Sequence, residues 1–175
     1  AIVNRDDEPI GIAGVMGGES TEIGDSTESV LLELAWWDPP SISFTSKRLG
    51  LRSEASSRYE KGVDHEIANR AAWRFAQLLV EQGATLHPGE IVAEGNAPEP
   101  ARVDVRTARV NALLDTAFTS DEIAAYLAPI GFAAVPTADP DVLAVTIPSW
   151  RPDSTGEIDV GEEVARLHGY EHLGK

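Results

Sequence analysis

Four carboxylates in the C-terminal quarter of the sequence have a spacing that could hold a cation. Asp153 is followed by Asp159, Glu162 and Glu163. If a helix runs over roughly 158–168, the last three stand at i, i+3 and i+4 and share one face. Asp153 lies in the preceding loop, able to fold back towards them. Oxygen-only ligands suit a hard ion such as Mg²⁺. Without one, like charges held together raise each other's pKa. The same residues have a plainer reading. Acidic groups at a helix N-terminus meet the positive end of its dipole, and Glu162 stands four residues before Arg166, the spacing of a surface pair. Spacing alone leaves both readings open.

Glu33 is a second candidate. It falls inside Val30-Leu-Leu-Glu-Leu-Ala-Trp-Trp37, an apolar run that reads as a buried strand. Alternation puts it on one face with Leu31, Ala35 and Trp37. A carboxylate among apolar neighbours could receive a ligand's hydroxyl or ammonium group. It could equally be structural, bonded to backbone or paired with Arg52 or Arg58. Gly17 and Gly18 follow the apolar segment Ile10–Gly14, and could bring backbone close to a ligand or simply make a turn. They fit neither the dinucleotide-binding GxGxxG nor the phosphate-cradling GK[ST]. Ser53, Ser56 and Ser57 have no histidine near them in sequence. The four histidines, His65, His87, His168 and His172, show no triad or metal spacing. There is no cysteine, so thiolate metal sites, disulfides and cysteine nucleophiles are excluded.

Elements must carry these residues. Ile2-Val3-Asn4 reads as a strand entering a turn. Pro39 and Pro40 end the apolar run, and Ser41 is placed to cap a helix reaching about Leu49. Ile67, Ala71, Phe75 and Leu79 recur every four residues, an amphipathic helix stopped by Gly83. Glu94-Gly-Asn-Ala-Pro-Glu-Pro100 is a linker by composition. Beyond it come a strand at Arg102–Val105, a short helix capped by Thr107, and a capping box at Thr119-Ser-Asp-Glu122. Strands at Phe132–Val135 and Val142–Ile147 follow, and then the helix that carries the carboxylates. Irregular mixing of strands and helices predicts an α+β fold. The expected organisation is a first domain over 1–93, a linker over 94–100 and a second domain over 101–175.

The 175 residues are 42% hydrophobic and carry a formal net charge of -15. That charge opposes nonspecific binding to nucleic acid and suits a basic partner, bound cations or plain solubility. No apolar run approaches the roughly 18 residues that span a bilayer, and Arg5-Asp-Asp-Glu8 stands where a signal peptide would be apolar. A cytoplasmic protein is expected. Both ends read as cut from something longer.

Taken together, these segments resemble a known family. Gly14-Val-Met-Gly-Gly-Glu19, Val30-Leu-Leu-Glu33, Leu49-Gly-Leu-Arg-Ser-Glu-Ala-Ser56 and Arg58-Tyr-Glu-Lys-Gly-Val-Asp64 come in the order seen in the editing module of bacterial phenylalanyl-tRNA synthetase beta subunits. Pro148-Ser-Trp-Arg-Pro-Asp153, Asp159, Glu162-Glu-Val-Ala-Arg166 and Gly169-Tyr170 are similar to the acidic domain that follows it. The resemblance implies part of the editing module's sheet with helices, then a small α+β domain like a winged-helix nucleic-acid-binding fold. It implies a parent ligase that uses ATP to join phenylalanine to tRNA(Phe), two alpha and two beta subunits in the assembly, and hydrolysis of Tyr-tRNA(Phe). Gly17, Glu33, Ser53 and Ala55 match the editing pocket. Glu33 is expected to meet the tyrosine hydroxyl, and Gly17 and Ala55 to leave room for the ring. Asp153, Asp159, Glu162 and Glu163 match a Mg²⁺ site shared with the alpha subunit. Three positions depart from the family pattern: Ser53 for threonine, Ser154 for isoleucine and Gly161 for an aliphatic residue. No site for ATP or amino-acid activation is found, so the chain alone is not expected to charge tRNA. The alternatives are a noncatalytic protein- or tRNA-binding module and, with less support, a free-standing Mg²⁺ phosphohydrolase.

Overall fold

Arg5-Asp-Asp-Glu8 turns the chain back on itself. Asp6 and Asp7 both have positive φ, 48° and 68°, the geometry of a two-residue hairpin whose twist matches its strands. The turn joins β1 (Ile2–Arg5) to β2 (Glu8–Ile12), and β3 (Met16–Gly17) pairs with the other side of β2. This computed structural model describes residues 1–93 and 95–173. They fall into two units, residues 1–97 and 98–175, each with one three-stranded antiparallel sheet. Helices accompany both sheets, so the α+β expectation holds. Glu94, where the expected linker begins, lies outside the described residues, as do Gly174 and Lys175.

The expected strand over Val30–Trp37 does not form. No described residue pairs with the backbone of this run. Its first half is uncovered, with Leu31 96% exposed and Glu33 exposed. The correction has a simple cause: apolarity marks a run for burial, but only a neighbouring strand or helix supplies it. Only Ala35–Trp37 become half-buried, where Trp37 packs beside Gly14. That glycine has φ 65°, and a Cβ there would stand 2.7 Å from both Trp37 and Ile42, so the close approach requires glycine.

The next helix, α1 (Pro39–Leu49), starts earlier than expected. Proline is tolerated in a first turn, and the cap is Asp38, whose carboxylate accepts the Ser41 N–H at 3.1 Å. After α2 (Glu54–Tyr59) comes α3 (Ala68–Glu81). α3 is amphipathic as expected, yet it buries none of its residues, and Trp73 is 74% exposed.

The second unit has a full core. β4 (Arg102–Arg106), β6 (Val142–Thr146) and β5 (Ala133–Pro136) lie in that order. Val103 and Val105 alternate with exposed neighbours, so one face of the sheet is apolar. α4 (Thr107–Leu114), α5 (Ser120–Leu127) and α6 (Glu157–His168) supply Val110, Ile123, Leu127, Val160 and Val164 to the same cluster. Each such side chain contributes about 1.5–3 kcal/mol of transfer free energy. Thr107 does not cap α4 with its side chain. Asp141 reaches across from the turn before β6 and accepts the Ala108 N–H at 2.9 Å, a cap that sequence spacing could not reveal. The capping box at Thr119 and Glu122 forms in both directions.

Two outcomes follow from the second unit. A Cβ on Gly161, inside α6, would meet nothing within 4 Å, so Gly161→Ala should stabilise the unit by about 1 kcal/mol, read by urea unfolding. Glu122 is held below the usual carboxylate range, first by the Thr119 N–H and then by its hydroxyl. A lowered folded pKa stabilises above the unfolded pKa, and that stability is lost as pH falls through the folded value. Glu122→Gln should therefore flatten the acid limb of the Tm-against-pH curve.

Candidate functional site

Ser53 is the hinge of the first unit's site. As N-cap of α2, its Oγ accepts the Ser56 N–H at 3.0 Å, and Ser56 Oγ accepts the Ser53 N–H at 2.9 Å. The Ser53 hydroxyl donates its own hydrogen to the Val15 carbonyl, 2.5 Å away and 38 residues distant in sequence. That bond fastens the glycine loop to the start of α2. Val15 and Ser56 are each 1% exposed, so the tie is partly shielded from competing water. With its hydrogen committed, Ser53 is a positioning group rather than a free nucleophile.

Around this tie lie two more of the expected residues. Gly17, two residues past Val15, is exposed on β3, and a Cβ there would meet nothing within 4 Å. Gly18 is different: a Cβ would stand 2.8 Å from the Ile10 carbonyl, so it serves the turn. Ala55 lies exposed in the first turn of α2. Ser53 thus ties the glycine loop to α2, while Gly17 on β3 and Ala55 on α2 are both exposed.

Glu33 is the fourth of the expected pocket residues. It is exposed, not buried as the strand reading expected. The structural alternative does not hold either, since Arg52 lies 3.7 Å from Glu60 and Arg58 lies 3.2 Å from Glu54. Its neighbour is Tyr59, whose phenol is pushed up by burial and then by the negative charge of Glu33. Tyr59 closes α2 and Ser53 opens it, about 9 Å apart at 1.5 Å per residue. Tyr59 was missed from the sequence, where α2 itself had no apolar periodicity; the Ser53-x-x-Ser56 cap was its signal.

The acidic motif of the second unit is arranged by arginine. Arg151 donates to both oxygens of Asp153, Nε and Nη2 each at 2.9 Å, and to Oε1 of Glu163. Arg166 takes Oε2 of Glu163. Glu163 is 3% exposed; burial would raise its pKa, but the guanidiniums of Arg166 and Arg151 outweigh that and hold it low. Leaving such a carboxylate unpaired costs about 3–5 kcal/mol. Arg166 therefore pairs with Glu163, not with Glu162 as spacing suggested, and Glu162 is exposed. Asp159 turns back to accept the N–H groups of Thr155 and Gly156 at 2.9 and 2.8 Å. Among the described residues, no three of His, Cys, Asp or Glu converge on a metal position. So arranged, Asp153, Asp159, Glu162 and Glu163 do not fit a Mg²⁺ ion. Arg151 was missed as their partner, although it stands two residues before Asp153 in Trp150-Arg-Pro-Asp153.

Two family models match the chain: a B3/4 domain over residues 1–84 and a tRNA synthetase B5 domain over residues 103–170. The phenylalanine–tRNA ligase beta subunit of Geobacter sulfurreducens is 41% identical over 165 residues, 94% of this chain and 20% of that protein. That of Halalkalibacterium halodurans is 41% identical over 98% of this chain and 21% of its own length, and that of Leifsonia xyli 42% over 98% and 20%. The chain spans about a fifth of the length of these relatives.

The Ser53 tie has a measurable consequence. Ser53→Ala loses the cap and the bond to Val15, and should cost about 1–2 kcal/mol in thermal unfolding. Ser53→Thr keeps both bonds and should retain most of that stability.

Proposed function

Because this chain belongs to the phenylalanine–tRNA ligase beta subunit family, we propose that it is a piece of a ligase that joins phenylalanine to tRNA(Phe) with ATP, working beside an alpha subunit in an assembly of two alpha and two beta. Residues 1–93 contribute part of a pocket that hydrolyses Tyr-tRNA(Phe), joined by a linker over 94–100 to an acidic domain over 101–175. The observation that carries the reading is the Ser53–Val15 bond, which holds the glycine loop against α2 with unfilled space beside Gly17.

The chemistry is one of discrimination. Phenylalanine and tyrosine differ by one hydroxyl, which an apolar pocket rejects poorly, so a second, hydrolytic site supplies the rest. Gly17 and Ala55 leave room for a ring. Ser53 keeps the loop in place. Glu33 accepts the phenolic O–H in a charge-assisted bond, roughly twice as strong as a neutral one.

The winged-helix likeness of the second unit belongs to the same proposal: α4, α5 and α6 with a three-stranded antiparallel sheet supply its parts. Its acidity favours subunit contact over nucleic acid. Three of the four expected Mg²⁺ ligands, Asp153, Asp159 and Glu163, are engaged by Arg151, Arg166 and backbone amides, and Glu162 is exposed. A noncatalytic docking module is the second reading, favoured by the uncovered apolar face of α3.

The test is deacylation by the whole ligase. Glu33→Ala should slow clearance of Tyr-tRNA(Phe) about tenfold or more, the equivalent of one lost charged hydrogen bond, while phenylalanine charging is retained. Clearance at the parental rate, with Phe-tRNA(Phe) still spared, would leave Glu33 without a part in editing.

A further inference from the structure

The acidic motif carries an excess of negative charge, and its most buried member is Glu163. Each oxygen of that carboxylate already has a guanidinium partner. Arg151 is the shared one. Its side chain is only 17% exposed, with its Cζ 5.9 Å from the Phe132 ring centroid and 5.8 Å from that of Trp150. Its Nε and Nη2 go to Asp153 and its Nη1 to Glu163. One planar fork therefore bridges the loop carboxylate and the helix carboxylate, beside two aromatic rings.

A cation on these carboxylates and the guanidinium are competitors. Mg²⁺ demands near-octahedral oxygens at about 2.0–2.1 Å, and on Asp153 and the buried Glu163 it would compete with Arg151 for oxygens the guanidinium already holds. Two cations sharing the same oxygens would also repel each other. A lysine could not replace the arginine, because its ammonium is a point charge without the fork that serves two carboxylates at once.

We propose that Arg151 is the resident cation of this motif, bridging Asp153 and Glu163 in place of a divalent ion, so that the loop 148–155 and α6 are joined without metal. The bridge is independent of the editing pocket and survives or fails on its own. In it, Trp150-Arg-Pro-Asp153 brings its own counterion, and the surface it forms with α6 is assembled before any partner arrives.

Thermal unfolding of the full chain tests this in EDTA, in millimolar MgCl₂, and in NaCl at matched ionic strength. The NaCl arm is needed because a chain of net charge -15 gains from screening alone. The MgCl₂ and NaCl curves should coincide, and calorimetric titration with MgCl₂ should show no saturable heat. Arg151→Lys should lower the Tm in all three solutions. Arg151→Met should lower it further, and adding Glu163→Gln to that variant should recover part of the loss. If Arg151→Met does not fold, the wild-type and Arg151→Lys arms still decide. A saturable Mg²⁺-specific rise in wild-type Tm, abolished by Glu162→Gln with Glu163→Gln, would overturn the proposal. So would an Arg151→Lys variant as stable as the parent.

Discussion

The carboxylate of Glu163 is the charge that the second unit has to accommodate. It sits on α6 beside Val160 and Val164, both fully buried. Moving an ion out of water costs several kcal/mol unless partners compensate. Compensation comes from two directions, Arg166 one turn along the helix and Arg151 from the loop after β6. Arg151 can reach only if residues 148–155 fold back onto α6. Gly131, at φ 79°, turns the chain into Phe132 beside that loop; a Cβ there would make only ordinary contact, 3.6 Å from Pro148 and Trp150, so it is the backbone conformation that favours glycine. Phe132, 1% exposed, then sets its ring edge-to-face with Trp150. One buried charge thus links the loop, the helix and the aromatic side of the core. At the other end of α6, Glu157 does a similar task, accepting the Arg106 N–H at 2.7 Å and so tying the edge strand β4 to the helix.

The first unit is held differently. Its described buried apolar residues are only Ala13, Val15 and Ile42, with Ser46 and Ser56 beside them. Hydrogen bonds do much of the joining: Ser53 to Val15, Ser46 to Leu51, and Asp38 to Ser41. Net hydrogen-bond contributions of about 1 kcal/mol each are smaller than those of a packed core, so local opening is easier here. Apolar surface on Val30–Leu34 and on α3 stays exposed. Such patches mark surfaces that meet something else, which accords with a chain spanning about a fifth of its relatives' length.

This contrast bears on function. A site built at the Ser53 junction rests on a few directional bonds, so its geometry responds to single hydroxyls and single methyl groups. The acidic motif rests on an ionic network in a packed unit, where Arg151 and Arg166 engage Asp153 and Glu163 while Glu162 stays exposed. Chemistry that needs discrimination fits the first, and rigid presentation of a surface fits the second.

Local patterns were legible wherever the cause of a structure is itself local. The hairpin turn after Asn4, the amphipathic period of α3, the capping box of α5, the strands β4, β5 and β6, and the helix α6 all follow from rotamers, caps and periodicity within about ten residues. Gly17, Ser53 and Ala55 were singled out together only through family resemblance, not through any local pattern. What failed were statements about burial and pairing. Val30–Trp37 has the composition of a buried strand and no strand beside it, so Glu33 faces outward. Glu162 and Arg166 have the spacing of a surface pair, yet Arg166 pairs with Glu163. Arg151, Asp141 and the Val15 carbonyl entered as partners only through contacts 12, 33 and 38 residues distant in sequence. The sequence by itself determined the elements and the charges that had to be compensated. The tertiary structure decided which groups compensate them, because burial and ion pairing depend on neighbours in space that no local pattern names.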